Sequence, residues 1–158
     1  MAVWPEVAAV PGAQDALRRL RPHYRLLVAT NADLSGGPDV RAALARVGLD
    51  GYIDAVVSSK DVGAAKPNAA FFEAALRQAG VNGKAVAPAN AVMVGDRTDN
   101  DVGGAKRAGL RAVWFNPSHA PLPEGAMPAD AEVARLSELP AALIRLSTEP
   151  AASDGNGR

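Results

Sequence analysis

Short apolar runs alternate with helical stripes along most of the chain, and this alternation restricts the fold more than any other feature. Four runs predict strands: residues 24–29, 52–57, 91–94 and 111–115. The first is nearly continuous, as expected for a strand buried on both faces. Between two of them, Val40, Ala43 and Val47 follow helical spacing. Strands that alternate regularly with helices predict an α/β fold with a parallel, doubly wound sheet.

Further helices and one more strand complete the predicted order. The same spacing predicts helices over residues 13–20, 72–79, about 100–108 and about 137–146, and a short strand over 131–134. Asn68 is placed to cap the helix over 72–79, and Gly80 to end it. We therefore expect residues 1–147 to form one domain and residues 148–158, rich in small and polar residues, to form a disordered tail.

Charge and cysteine content exclude several classes of function. Seventeen basic and seventeen acidic residues cancel, so no basic field attracts nucleic acid or an anionic membrane. There is no cysteine, which removes disulfides, thiolate nucleophiles and cysteine metal sites and fits a reducing compartment. No apolar stretch approaches the ~20 residues of a membrane helix, and the first ten residues do not resemble a signal peptide. We expect a cytoplasmic protein.

Three loops that carry polar residues follow three of the predicted strands. The first strand leads to Thr30 and Asn31, the second to the loop that holds Lys66, and the third to Asp96 and Asp101. Ligands of a doubly wound sheet bind beyond the carboxyl ends of its strands. A hydroxyl, an ammonium and two carboxylates are therefore expected at one rim.

This combination of groups suits phosphoryl transfer with a divalent cation. Mg²⁺ prefers carboxylate oxygens and keeps several waters, which fits Asp96 and Asp101. Lys66 would offset the negative charge shared by a phosphoryl group and a carboxylate nucleophile. Thr30 could donate a hydrogen bond to a phosphate oxygen.

Three motifs, in order, resemble those of the haloacid dehalogenase-like hydrolase superfamily. They are an apolar strand ending in Thr-Asn (LLVATN, to Asn31), a Gly-x-x-Lys-Pro segment (GAAKP, with Lys66), and a strand ending in Gly-Asp with a second Asp (VMVGDRTDND, with Asp96 and Asp101). The resemblance covers about residues 11–146. It implies a three-layer α/β/α sandwich of the Rossmannoid type, a small phosphorylated metabolite as substrate, and Mg²⁺ held by Asp96 and Asp101. It assigns Thr30, Asn31 and Lys66 to phosphate binding and catalysis.

The family's first motif, a strand ending in Asp-x-Asp, has no counterpart before Thr30. Asp15 lies in a predicted helix, Asp33 has no carboxylate two residues later, and the Asp99-Asn100-Asp101 segment belongs to the later motif. The nucleophile is absent, so Mg²⁺ binding should be weak or missing. In the family this strand lies mid-sheet between the Thr30 and Asp96 strands. Without it those strands either pair directly or expose two apolar edges that invite another chain.

Three functions remain open from the sequence. The complete protein could be a Mg²⁺-dependent phosphomonoester hydrolase, with this chain inactive until another chain, or a second copy, supplies the missing strand at the exposed sheet edge. The chain could instead be a non-catalytic relic that binds phosphate or a protein. Dehalogenation is a weaker option, because family members with that activity do not need the metal for which Asp96 and Asp101 look retained.

Overall fold

The structure, a computed structural model, describes residues 6–149. Five short strands are β1 (Leu27–Thr30), β2 (Ala55–Ser58), β3 (Val92–Gly95), β4 (Arg111–Phe115) and β5 (Ala131–Val133). The helices are α1 (Ala13–Leu20), α2 (Gly37–Arg46), α3 (Ser59–Val62), α4 (Ala69–Ala79), α5 (Gly104–Arg107) and α6 (Leu139–Thr148). A π-helix (Thr98–Gly103) precedes α5, and 3₁₀ turns occupy Asp50–Tyr52, Pro88–Asn90 and Leu136–Glu138. No helix within residues 6–149 is long and apolar enough to cross a membrane.

The five strands are all parallel but form two separate sheets. β1 pairs with β2, and β3, β4 and β5 form the second sheet with β4 in the centre. No ladder joins β1 to β3, and every residue of these two strands remains only half-buried. One edge of β1 and one edge of β3 therefore lack a strand partner among the described residues.

Helices cover the larger sheet on both faces, which confirms the three-layer α/β/α prediction. Val113 of β4 packs in a core cluster with residues of α1 and α6. Its neighbours Ala112 and Trp114 pack in a second cluster with α4 and α5. Successive side chains of a strand point to opposite faces, so one strand supports both helical layers. The apolar run over 112–115 is continuous because the middle of β4 is buried on both faces.

Two predicted strands begin later than their apolar runs. Residues 24–26 precede β1, because the main chain at Tyr24 still closes a turn onto Leu20 after α1. Tyr52 lies in a 3₁₀ turn, where its N–H donates to the carbonyl of Leu49. Apolar content extends beyond the paired segment in both cases, so the run alone could not mark the strand's start.

The helix predicted over about 100–108 begins earlier and is not uniformly α-helical. A π-helix covers Thr98–Gly103, and only Gly104–Arg107 is α-helical. The N-cap prediction for Asn68 is confirmed, since its side chain accepts a hydrogen bond from the N–H of Ala70 at 2.9 Å. Helix α6 extends to Thr148, and residues 150–158 of the predicted tail lie outside the described part of the chain.

Candidate active site

Lys66 lies at the carboxyl ends of both sheets and connects them. Its ammonium Nζ donates to Asp101 Oδ1 at 2.6 Å and to the carbonyl oxygen of Ala29, in β1, at 2.8 Å. The side chains of Lys66 and Asp101 are each only 7% exposed. The Phe71 ring, whose centroid is 5.8 Å from Nζ, closes another side. A buried ammonium needs a carboxylate or carbonyl partner, and this lysine has both.

Asn31 holds the main chain of Lys66 in place. Its amide Nδ2 donates to the carbonyl of Lys66 at 2.9 Å, and its Oδ1 accepts from the N–H of Lys66 at 2.8 Å. The two bonds fix the loop after β2 against the end of β1. The amide of Asn31 therefore positions the lysine, and its predicted contact with phosphate remains a prediction.

Asp101 is brought to Lys66 by the π-helix and by a close approach to Gly95. Its second oxygen, Oδ2, accepts from the N–H of Arg97 at 3.1 Å. A Cβ on Gly95 would overlap the Asp101 carboxylate, so only glycine leaves room for it at the end of β3. This close approach explains physically why glycine precedes aspartate in the Gly-Asp motif.

Asp96 and Thr30 are the predicted site residues whose side chains remain free. The Asp96 carboxylate is exposed and makes no hydrogen bond or ion pair within residues 6–149, while its carbonyl accepts from Trp114 Nε1 at 3.0 Å. The half-buried Thr30 hydroxyl has no partner in the same part of the chain. Both groups can bind a ligand without first breaking an internal contact.

The described residues fit a Mg²⁺ site only in part. Asp96 offers free carboxylate oxygens, but both oxygens of Asp101 already accept hydrogen bonds. Within residues 6–149, no three acidic or histidine side chains are close enough to hold a metal together. Mg²⁺ keeps several waters and is usually bound by one or two carboxylates. Asp96 supplies one, so a further carboxylate is needed for a strong site.

A clamp between the loops after β1 and β2 was missed by the sequence reasoning. The Gly37 N–H and the Ser58 hydroxyl donate to Asp61 Oδ2 at 2.6 and 2.9 Å, and the Ser59 hydroxyl donates to Asp33. These bonds, first that from Gly37 and then that from Ser58, lower the pKa of Asp61 from its usual 3.8. The signal was present in the Ser58-x-x-Asp61 spacing, which is typical of a capped helix start.

Arg97 and Asp99, between the two predicted metal ligands, form an exposed pair. Arg97 Nη2 lies 3.3 Å from Asp99 Oδ2. The pairing raises the pKa of Arg97 and, with the N–H of Asn100, lowers the pKa of Asp99. The carboxylate of Asp99 is therefore already paired.

The chain matches the model of one enzyme family over more than half of its length. A model of the haloacid dehalogenase-like hydrolase family matches residues 1–109. The chain therefore belongs to the haloacid dehalogenase-like hydrolases, as its three motifs predicted.

Several relatives of the chain are phosphatases. It is 39% identical to the pyrimidine 5'-nucleotidase YjjG of Escherichia coli over 75% of this chain and 50% of the relative. It is 40% identical to a phosphoserine phosphatase of Thermus thermophilus over 66% of this chain and 40% of the relative. The chain thus spans about half the length of these proteins.

Solved structures show the same core. The HAD phosphatase of Thermococcus onnurineus superposes with a TM-score of 0.71 at 35% identity, over 85% of this chain and 58% of that one. The magnesium-bound putative HAD-hydrolase YfnB of Bacillus subtilis gives 0.73 at 25% identity, over 85% and 55%. A 2-haloacid dehalogenase of Pseudomonas syringae gives 0.70 at 35% identity, over 87% and 54%.

Proposed function

We propose that this chain is the phosphate-binding part of a Mg²⁺-dependent phosphomonoester hydrolase. In this proposal a further strand, with the nucleophilic carboxylate at its end, inserts between β1 and β3. The single observation that carries the proposal is the placement of Lys66, buried where the two sheets end and next to the unpaired edges. The chain alone then has no turnover, because the nucleophilic carboxylate belongs to the inserted strand.

Each site residue has a role in this reaction. Thr30, and main-chain N–H groups after β1, would bind the phosphate oxygens of the substrate. Lys66 would hold the phosphate against the nucleophilic carboxylate and offset their combined negative charge. Asn31 and Asp101 would keep Lys66 in position, through its main chain and its ammonium respectively.

The bond changes follow from a carboxylate nucleophile. An oxygen of the inserted carboxylate would bond to phosphorus as the bond from phosphorus to the ester oxygen breaks, and that oxygen would leave with the proton of a second, protonated carboxyl group. Water would then attack the phosphorus of the acyl phosphate and give a proton to the second carboxylate, which releases inorganic phosphate and restores both carboxyl groups. Asp96 would hold Mg²⁺ together with the inserted carboxylates, and Mg²⁺ would neutralise the charge on the phosphate oxygens.

The missing strand can come from the same protein or from another chain. Residues of β1 and β3 are half-buried, and Leu26, Val92 and Val94 border the core at these edges. An apolar segment that paired with both edges would join the two sheets and bury these side chains. A second copy of this chain is an alternative occupant, which a concentration-dependent molecular mass would reveal.

The test is complementation with a synthetic strand. Hydrolysis of p-nitrophenyl phosphate is measured with the 158-residue chain alone and with a short apolar peptide that ends in Asp-x-Asp. We expect turnover only with the peptide and Mg²⁺, and none with a peptide whose first Asp is Asn. Turnover by the chain alone, unchanged in Asp96→Ala, would contradict both the need for a strand and the metal role.

A non-catalytic role is the second candidate, and the Lys66–Asp101 pair favours it. The charge of this lysine is already balanced by the buried carboxylate of Asp101, so the ammonium does not need a nucleophilic carboxylate as its partner. Binding of inorganic phosphate, with no turnover at any peptide concentration, would favour this non-catalytic role. Chloride release from a 2-haloacid in the same complementation assay would instead favour dehalogenation.

A further inference from the structure

A cavity of about 280 Å³ lies at the amino ends of β3 and β4, opposite the rim that carries Lys66. Val92, the first residue of β3, and Arg111, the first residue of β4, line it. Tyr24, in the segment that leads into β1, lines it as well. The cavity therefore lies between the entry to one sheet and the start of the other, where no ladder joins β1 to β3.

Helix α6 forms the apolar floor of this cavity. Leu143 and Leu146 line it and belong to the core cluster against which Val92 packs. Among the described residues that line the cavity, Arg111 is the only charged one, and its guanidinium donates to the carbonyl of Glu149 at 2.9 Å. The cavity is thus an opening into the margin of an apolar core.

The unpaired edge of β3 connects this cavity to the candidate active site. β3 begins at Val92, in the cavity, and ends at Gly95, against which the Asp101 carboxylate packs. That carboxylate accepts the hydrogen bond from Lys66 Nζ. A strand rises about 3.3 Å per residue, so the two ends of β3 lie about 10 Å apart. One extended segment that pairs along this edge reaches both places.

The alternation of side chains along β3 fixes the face on which the cavity lies. Val92 and Val94 pack against the cluster of α1 and α6, whereas Met93 packs against the cluster of α4 and α5. Residues at the same level of a parallel ladder point to the same face. On a parallel strand beside β3, the residue level with Val92 therefore points toward α6 and the cavity. It precedes the residue level with Asp96 by four positions.

We propose that this cavity binds the amino end of the strand that inserts between β1 and β3, and that it takes a large apolar or aromatic side chain four residues before the nucleophilic carboxylate. This inference rests on the proposed function, from which it takes the inserted strand. The partner is an extended apolar segment with a bulky side chain at its amino end and the carboxylate at its carboxyl end. An apolar cavity of about 150 Å³ holds benzene, so this one has room for an aromatic ring.

The bulky side chain contributes both affinity and register. Main-chain hydrogen bonds to β1 and β3 replace bonds to water and contribute little net free energy. Transfer of an apolar side chain from water onto Leu143 and Leu146 contributes more. A slip of one residue would turn that side chain to the opposite face, toward α4. The cavity therefore also determines that the carboxylate ends beside Lys66.

The test measures the binding of short apolar peptides to the 158-residue chain by isothermal titration calorimetry. Each peptide ends in Asp-x-Asp and is acetylated, because Arg111 would repel a free amino group. Four peptides differ only at the position four residues before the first Asp, which is Leu, Trp, Ala or Ser. We expect the Leu and Trp peptides to bind about tenfold more tightly than the Ala and Ser peptides. Moving the Leu by one position should remove the gain.

A variant of the chain supplies the second arm. Ala89→Trp, at an exposed residue that lines the cavity, should fill it and weaken the Leu peptide about tenfold while leaving the Ala peptide unchanged. Ala87→Trp, at an exposed neighbour that does not line the cavity, is the matched control. Equal affinity for the Leu and Ser peptides would overturn the inference. A uniform loss for all peptides in Ala89→Trp would overturn it as well.

The same peptides separate this inference from the proposed function. Tighter binding of the Leu peptide, without hydrolysis of p-nitrophenyl phosphate, would support the anchoring cavity and contradict the proposed function. Hydrolysis at equal rates and equal affinities with the Leu and Ser peptides would support the function and overturn the anchoring cavity. A chain that is dimeric and binds none of the peptides would identify a second copy as the occupant and overturn the inference.

Discussion

At the scale of single residues, Lys66 makes the most contacts that bear on function. It pairs with Asp101, donates to Ala29, faces the ring of Phe71 and is fixed through its main chain by Asn31. A solvated lysine has none of these constraints. The residue therefore affects both the stability of the fold and the chemistry of the site, and the two effects can be separated by experiment.

Replacing Lys66 by Met should destabilise the chain by about 3–5 kcal/mol, because Asp101 would remain buried without its cation. The double variant Lys66→Met with Asp101→Leu should recover much of that loss, since no buried charge remains. Urea unfolding followed by circular dichroism measures both. Lys84→Met, at an exposed lysine, should change stability by less than about 0.5 kcal/mol. A loss in the double variant as large as in the single one would contradict this account.

The pKa of Asp61 gives a prediction on pH. Because the Gly37 N–H and the Ser58 hydroxyl lower this pKa in the folded state, the contribution of Asp61 to stability is present above its unfolded value, near 3.8. That contribution is lost as the pH falls through the lower folded value. An NMR titration should find the Asp61 pKa below 3.8, and Ser58→Ala should move it upward. A pKa at or above 3.8 in the unsubstituted chain would show that the clamp does not form.

At the scale of elements, the segment from β3 through the π-helix to α5 shapes the site. Gly95 admits the carboxylate of Asp101 at the end of β3. Gly104 allows α4 to pack closely against it. A Cβ at this position would lie 2.8 Å from the Phe72 ring and 3.0 Å from the Cα of Pro67. The two glycines bring the predicted loop of Lys66 and the predicted loop of Asp96 and Asp101 into contact. The wider turn of the π-helix lies between them, where such irregularities often mark functional sites.

Gly95→Ala should displace Asp101 and break its bond to Lys66, at a cost of about 1–3 kcal/mol for the overpacking alone. Gly51→Ala is the matched control, because a Cβ there meets nothing within 4 Å and its φ is not positive. Thermal unfolding measures the difference, and phosphate binding reports on Lys66. If both variants unfold at the same temperature, Gly95 does not lie as close to Asp101 as described.

At the scale of the whole molecule, the division of the strands into two sheets is the dominant feature. β4 is paired on both sides, and its residues Ala112 and Val113 are fully buried. β1 and β3 are each paired on one side and half-buried. Contacts of side chains and loops, and not a strand ladder, hold the two sheets together. Among them are the hydrogen bonds that Lys66 donates to Ala29 and to Asp101.

Hydrogen exchange should reveal this uneven cohesion. Amides of β4 should exchange slowest, and amides of β1 and β3 faster, because a strand with one unpaired edge opens more readily than a central strand. Addition of the Asp-x-Asp peptide should slow exchange in β1 and β3 together, while the surface turn at Asn82 stays unchanged as an internal control. Equal protection of β1 and β4 without peptide would contradict the open edge.

The sequence could predict most of the fold because its signals are local. The continuous apolar runs of buried strands, the cap at Asn68 and the order of strands and helices all appear within windows of a few residues. The starts of β1 and β2 were placed too early because apolar content does not report where pairing begins. The π-helix was missed because nothing in its six residues distinguishes i+5 bonding from i+4 bonding.

By itself, then, the sequence determined the α/β class, the parallel strands, the family motifs and the rim at which Thr30, Lys66, Asp96 and Asp101 were expected. Only the tertiary structure decided which residues pair at that rim. Lys66 binds Asp101 and Ala29, and Asn31 binds the main chain of Lys66. The side chain of Asp96 pairs with none of these residues. The physical reason is distance along the chain. Contacts between residues 35 or more positions apart depend on how strands pack and on where a glycine leaves space, and no local pattern encodes either.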